Sequence, residues 1–216
     1  AASVGERYRK LGGTKPYVLT EFGPPGIWEI KKESNGAYRE LTSTAKVDAY
    51  RATYRQSVSE QRGTCLGSYA FMWGQKQEVT ATWFSLLLKD GSRLGAVDAL
   101  SELWTGKPVA NRCPLIESLE ANGSTSVKGR AMVKLNLKAS DPERDPLKVV
   151  WELVADEEQY GTGGDAEAAG ATISKSIVRS DATSAEIKLP SDGGLYRVFA
   201  TVRDDHGGAA IANVPI

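Results

Sequence analysis

The sequence predicts two parts of different fold class, an α/β part followed by an all-β part. In the first part, short apolar runs at 16–19 and 65–72 flank a segment with helical periodicity, which gives the order strand, helix, strand. Beyond residue 113 the hydrophobic period changes to two, which is typical of half-buried strands. Glycine and prolines punctuate the segment between the two parts. We therefore expect domains at 1–113 and 114–216.

The helices of the first part are predicted from their end signals. Residues 6–13 have the pattern of a final helical turn that Gly12 and Gly13 end. A second helix begins at Thr42 or Ser43, since either residue suits an N-cap, and it ends at Gly63. Its predicted apolar stripe is formed by Val47, Tyr50, Tyr54 and Val58. A third helix, over 96–104, should close the domain.

The second strand of the α/β part has features of its own. Apolar residues on both faces between Tyr69 and Trp73 indicate a strand buried on two sides, as in a parallel sheet. Gly67 lies within this strand and indicates a close approach of another backbone. The strand is therefore predicted to lie inside a covered sheet.

The all-β part is predicted from three alternating runs at 131–137, 147–153 and 196–202. Turn residues separate the runs at intervals typical of a sandwich. Asp141 and Asp145 each directly precede a proline and are interpreted as turn residues, because a calcium loop would need further oxygen ligands. His206 is the sole histidine and lies in a predicted hairpin, so neither a catalytic triad nor a histidine metal cluster can be assembled.

Composition excludes several classes of function. The 216 residues include 27 basic and 27 acidic side chains, so no net field favours nucleic acid or an anionic membrane. No apolar stretch approaches the roughly 20 residues of a membrane span, and the N-terminus lacks a targeting pattern. Cys65 and Cys113 either form one disulfide or remain free. The glycine-rich segment 161–165 lacks the strand-to-helix context of a phosphate loop and is interpreted as a hairpin loop.

Two motifs carry a resemblance to a known family. Thr20-Glu21-Phe22-Gly23 follows the first strand, and the second strand ends on Trp73-Gly74-Gln75. Together they resemble the C-terminal end of a clan A glycoside hydrolase, a (β/α)8 barrel whose seventh strand carries a nucleophilic Glu and whose eighth commonly ends in a substrate-facing Trp. The resemblance matches Glu21 to the nucleophile and Trp73 to the tryptophan. The region 139–208, with Trp151 as a core residue and a final Asp-Gly hairpin, resembles PKD-like or immunoglobulin-like β-sandwich modules.

The resemblance implies a retaining β-glycosidase or transglycosylase that acts on an oligo- or polysaccharide without a cofactor or metal. Retention requires two carboxyl groups, one as nucleophile and one as acid and then base. The family's acid/base usually follows an Asn, and no Asn-Glu pair is present. Only the last two βα units of a barrel fit into 1–113, whereas a complete barrel takes about 250 residues. We therefore expect this chain alone to be inactive and to need the remaining strands, from its own full-length chain or another polypeptide.

Several neighbouring residues are binding candidates. Trp73 offers a flat face for a sugar, although a core role suits it equally. Glu78 is the nearby carboxylate that could donate a proton, although an ion pair with Lys76 explains it more simply. The others could line sugar subsites or pack at the rim; they are Gln75, Gln77, Trp28 and Trp83.

Two alternatives stay open. Without the resemblance, Glu21 is more simply a surface carboxylate. A second hypothesis for the whole chain is a noncatalytic carbohydrate-binding or cell-surface module, in which the barrel remnant is scaffold. A sandwich module beside a barrel implies a secreted, periplasmic or cell-surface location.

Overall fold

The computed structural model describes residues 4–156 and 167–216. The predicted loop at 161–165 lies outside these residues. Within them the chain is a mixed α and β protein with three α-helices, and strands predominate over helices. None of these helices has the length and apolarity that a bilayer span requires.

The α/β part has the predicted order of helix, strand, helix, strand. Its elements are α1 (Val4–Lys10), β1 (Tyr17–Phe22), α2 (Ser43–Ser57) and β2 (Cys65–Ala70). The side chain of Thr42 accepts a hydrogen bond of 3.0 Å from Ala45 N, which confirms the predicted N-cap. Strands β1 and β2 pair in parallel, as expected for strands that a helix connects.

Two predictions about β2 are wrong. Leu66 and Tyr69 are 71% and 67% exposed, so the strand is not buried on both faces. Helix α2 packs against the two-stranded sheet, where Phe22 and Tyr50 form a small core. A Cβ added at Gly67 would meet no atom within 4 Å, so no backbone approaches there closely.

A short strand and a helix connect the two parts. They are β3 (Arg93–Leu94) and α3 (Gly95–Thr105), which ends in a left-handed Gly106 at φ 69°. The helix thus agrees with the predicted span 96–104 within one residue at each end. Cys113 is buried, Cys65 is partly buried, and both cysteines are free.

The all-β part contributes seven strands to two sheets that pack on one core, and β3 is the eighth strand. Its strands are β4 (Leu115–Ala121), β5 (Met132–Ser140), β6 (Lys148–Ala155), β7 (Ile177–Ser180), β8 (Ser184–Lys188), β9 (Tyr196–Arg203) and β10 (Gly208–Pro215). One sheet has the order β4-β5-β8-β7 and the other β3-β10-β9-β6. Strand β5 alternates between buried and exposed residues, as its sequence predicts. Trp151 is buried in the shared core, and β9 and β10 form the final hairpin.

Strand β10 joins the two parts of the chain. It pairs antiparallel with β9 on one side and parallel with β3 on the other. Every residue of β10 is buried, because helix α2 also contacts it. The domain boundary near residue 113 stays a prediction. The contacts of β10 with β3 and α2 cross it.

Candidate active site

A cleft of about 580 Å³ opens at the end of β1. Three of the predicted site residues line it: Glu21, Trp28 and Glu78. Glu21 is the penultimate residue of β1 and is exposed, so its carboxylate borders the cleft rather than hydrocarbon. Within the part of the chain that the structure describes, no hydrogen bond or ion pair engages the Glu21 side chain, which leaves its carboxylate accessible.

Gly23 brings the end of β1 against the end of β2. Phe71 N donates a 2.8 Å hydrogen bond to Phe22 O, and the Tyr50 hydroxyl donates to Phe71 O. A Cβ at Gly23 would lie 2.7 Å from Phe71 O, so only glycine allows this approach. Burial raises the pKa of the Tyr50 phenol, which keeps the hydroxyl protonated as a donor. These contacts fix the backbone that carries Glu21.

The far wall of the cleft is formed by 75–79, a segment outside the helices and strands, which we call the strap. Lys76 Nζ lies 2.9 Å from Glu78 Oε2, so the predicted ion pair is present. Val79 has φ 63°, an uncommon conformation for a β-branched residue. Its N–H donates a 2.7 Å hydrogen bond to a carboxylate oxygen of Glu167, and its side chain is buried beside Trp83. The surroundings therefore hold the strap in a strained geometry.

Trp28 and Glu29 form the near rim of the cleft. Both belong to a single 3-10 turn, Ile27–Glu29. Glu29 Oε2 accepts a 3.1 Å hydrogen bond from Gly26 N and so caps this turn. Trp28 is 77% exposed and presents its ring to solvent beside the cleft. Glu29 was not predicted as a cleft residue. Its position three residues after Gly26, the spacing of a capping interaction, could have indicated the turn.

The remaining candidates lie elsewhere. Trp73 is 69% exposed but does not line the cleft. Gln75 and Gln77 line a separate cavity on the other side of the strap. The interpretation of Trp83 as a binding residue needs correction, because it is only 1% exposed and its indole N–H donates 3.0 Å to Pro25 O. Its role is to anchor the segment that follows the strap.

A buried ionic network, which sequence reasoning missed, holds the C-terminal end of the strap. Glu40 pairs with Lys46 and accepts hydrogen bonds from Thr80 Oγ1 at 2.7 Å and Thr82 Oγ1 at 2.9 Å. Asn213 Nδ2 on β10 donates to the same carboxylate at 2.5 Å. Burial opposes ionisation of Glu40, but Lys46 and these donors together hold its pKa below the usual range.

No grouping of three or more His, Cys, Asp or Glu side chains in 4–156 and 167–216 is arranged to hold a metal ion. Neither protein-family models nor curated proteins give a match to this chain.

Proposed function

We propose that this chain is the C-terminal portion of a retaining β-glycosidase or transglycosylase, with Glu21 as the nucleophile. One observation carries the proposal. Glu21 lies at the C-terminal end of a parallel strand and borders an open cleft with an exposed tryptophan at its rim. Catalytic carboxylates of barrel enzymes lie at this end of their strands, and sugar rings stack on aromatic faces.

In this proposal β1 and β2 are the last two strands of a (β/α)8 barrel, and the two packed sheets form an immunoglobulin-like sandwich. The sheet of β1 and β2 has two strands, and Leu66 and Tyr69 of β2 are exposed. Parallel sheets are normally covered on both faces. Further strands, from the full-length chain or another polypeptide, would cover these side chains and complete the cleft.

The chemistry follows from the position of Glu21. A Glu21 carboxylate oxygen forms a bond to the anomeric carbon while the glycosidic C–O bond breaks and its electron pair passes to the leaving oxygen. A second carboxyl group gives that oxygen a proton. It later takes a proton from the water or sugar hydroxyl that attacks the anomeric carbon, while the bond to Glu21 breaks and its electron pair returns to the carboxylate. Glu78 is engaged by Lys76 in an ion pair, and Glu29 caps a turn. We assign the second carboxyl to the completing strands, so the chain alone should not turn over.

The second candidate function is noncatalytic carbohydrate binding. The specific observation in its favour is that two carboxylates of the cleft already have structural partners, while Trp28 and Trp73 remain available for stacking. Under this hypothesis the cleft binds a saccharide and forms no covalent intermediate.

Covalent trapping distinguishes the two candidates. The probes are 2-deoxy-2-fluoroglycosides with a dinitrophenolate leaving group, in gluco, galacto and manno configurations, because this leaving group departs without a general acid. They are applied to the protein that carries this chain within its complete barrel, and in parallel to the chain alone. We expect one fluoroglycosyl group on the peptide that contains Glu21, and its loss in Glu21→Gln but not in the matched cleft variant Glu29→Gln. Label on any other carboxylate refutes the assignment, and binding without label favours the second candidate.

A further inference from the structure

The strap separates two cavities. Lys76 and Glu78 line the cleft that contains Glu21, whereas Gln75, Gln77 and Val79 line a second cavity of about 370 Å³. Successive residues of the strap thus alternate between the two cavities. The second cavity therefore has its own set of polar groups, distinct from those beside Glu21.

The second cavity lies between the strap and the sheet that contains β6, β9 and β10. Its floor is formed by partly buried and buried residues of β9 and β10, among them Phe199, Thr201 and Ile211. Its volume is at the lower end of the range for small-molecule sites, about 300–1,000 Å³. The cavity is therefore large enough for a small ligand.

The charged residues of this cavity are largely balanced. Arg197 pairs with Asp156 at 2.7 Å. Arg203 pairs with Asp90 at 3.0 Å. The other two charged lining residues have opposite sign and are exposed; they are Lys89 and Glu152. An ionic ligand would therefore find no uncompensated field, and its own desolvation would oppose binding.

The two glutamines supply neutral hydrogen-bonding groups. Each amide offers two N–H donors and one carbonyl acceptor. Within the described residues the Gln75 amide has no hydrogen-bond partner, and Gln77 uses one N–H on Val79 O at 3.2 Å. An amide that both donates and accepts hydrogen bonds is a suitable partner for a ligand hydroxyl, which also donates and accepts. Phe199 adds an aromatic surface of the kind on which the apolar face of a sugar packs.

The geometry points to a second binding site between the strap and the β6-β9-β10 sheet, which takes a neutral saccharide unit through the Gln75 and Gln77 amides. Neutrality follows from the charges of the cavity, and the choice of a saccharide among neutral polyols rests on the proposed function. The strap would thus contact sugar on both of its sides.

Side-chain amide NMR of the full chain tests this site. The probes are glucose, galactose, mannose and cellobiose, with glucuronate and glucosamine as charged counterparts, each titrated to about 10 mM, well above a Kd of about 1 mM. We expect saturable shifts of the Gln75 and Gln77 amides with at least one neutral sugar. Gln77→Ala should weaken this affinity by about tenfold, close to the loss of one hydrogen bond, and Glu21→Gln should leave it unchanged.

The outcomes separate this site from the cleft. No saturable shift of either amide with any neutral probe, or tighter binding of a charged counterpart, overturns the second site. Binding that Glu21→Gln removes while Gln75→Ala and Gln77→Ala leave it intact places the sugar in the cleft and also overturns it. If neutral sugars shift the Gln75 and Gln77 amides but the fluorosugars do not label Glu21, the second site is supported and the assignment of Glu21 as nucleophile is refuted.

Discussion

Removal of one partner from the buried Glu40–Lys46 pair should destabilise the protein severely. Both side chains are almost fully buried, and Glu40 is the common acceptor for Lys46, Thr80, Thr82 and Asn213. Glu40→Gln removes the negative charge, and its amide N–H groups then face groups that donate to Glu40 in the native protein. Lys46→Met instead leaves the carboxylate buried without its cation.

The expected loss of unfolding free energy is about 3–5 kcal/mol for either single substitution, because each leaves an uncompensated buried charge. Proteins of this kind are stable by about 5–15 kcal/mol, so the loss is a large fraction of the total. The double variant Glu40→Gln/Lys46→Met removes both charges and should be less destabilised than the sum of the two single variants. A coupling free energy of about 2 kcal/mol or more is expected for groups in direct contact.

Urea unfolding followed by tryptophan fluorescence measures these differences. Lys138→Met is the matched control, because Lys138 pairs with Glu117 at the exposed surface, where such pairs contribute about 0–1 kcal/mol. A loss below about 1 kcal/mol for both buried variants, or additive losses in the double variant, would refute the reasoning. Either result would mean that water reaches Glu40 and Lys46.

Further predictions concern pH, the β1–β2 contact and the cysteines. The pKa of Glu40 is lower in the folded chain than in the unfolded chain, so ionised Glu40 stabilises the fold above about pH 4.3, and this stabilisation is lost as pH falls through the folded pKa. In urea unfolding, the stability of Glu40→Gln should therefore approach that of the wild type in acid. Gly23→Ala should cost about 1–3 kcal/mol through its clash with Phe71 O, whereas Gly67→Ala, which meets open space, should be neutral or stabilising; equal losses contradict the contact. Burial raises the pKa of the Cys113 thiol, so a thiol reagent should label Cys65 in the native protein and Cys113 only after unfolding, and rapid labelling of both would contradict this burial.

Local signals predicted the elements of this fold well. The start of α2 was predicted at Thr42 or Ser43, because a side-chain acceptor at an N-cap satisfies a backbone donor that would otherwise lack a partner, and Thr42 is the residue that does so. Alternation in β5 predicted which residues enter the core, since side chains of a strand alternate between its faces. The apolar run of β2 was misleading, because apolar composition does not show whether another element covers the strand.

Long-range contacts could not be predicted in the same way. The strand β3 has two residues, too few to show a period, yet it extends the sheet of β10. Glu40 lies in a segment without periodicity, and its burial depends on Thr80, Thr82 and Asn213, which are distant in sequence. The pairing of Lys76 with Glu78 was predicted because it needs only two neighbouring residues.

The strap explains why the cleft depends on the all-β part. Glu78 faces the cleft, and Thr80, two residues later, hydrogen-bonds to Glu40, which also accepts from Asn213 on β10. The strained φ of Val79 persists only while both neighbouring segments hold it. Loss of the β10 contact would therefore release the strap and alter both cavities at once. It follows that the all-β part supports the strap, which is a wall of the cleft, and a reaction at Glu21 would depend on that support although no described residue of the all-β part lines the cleft.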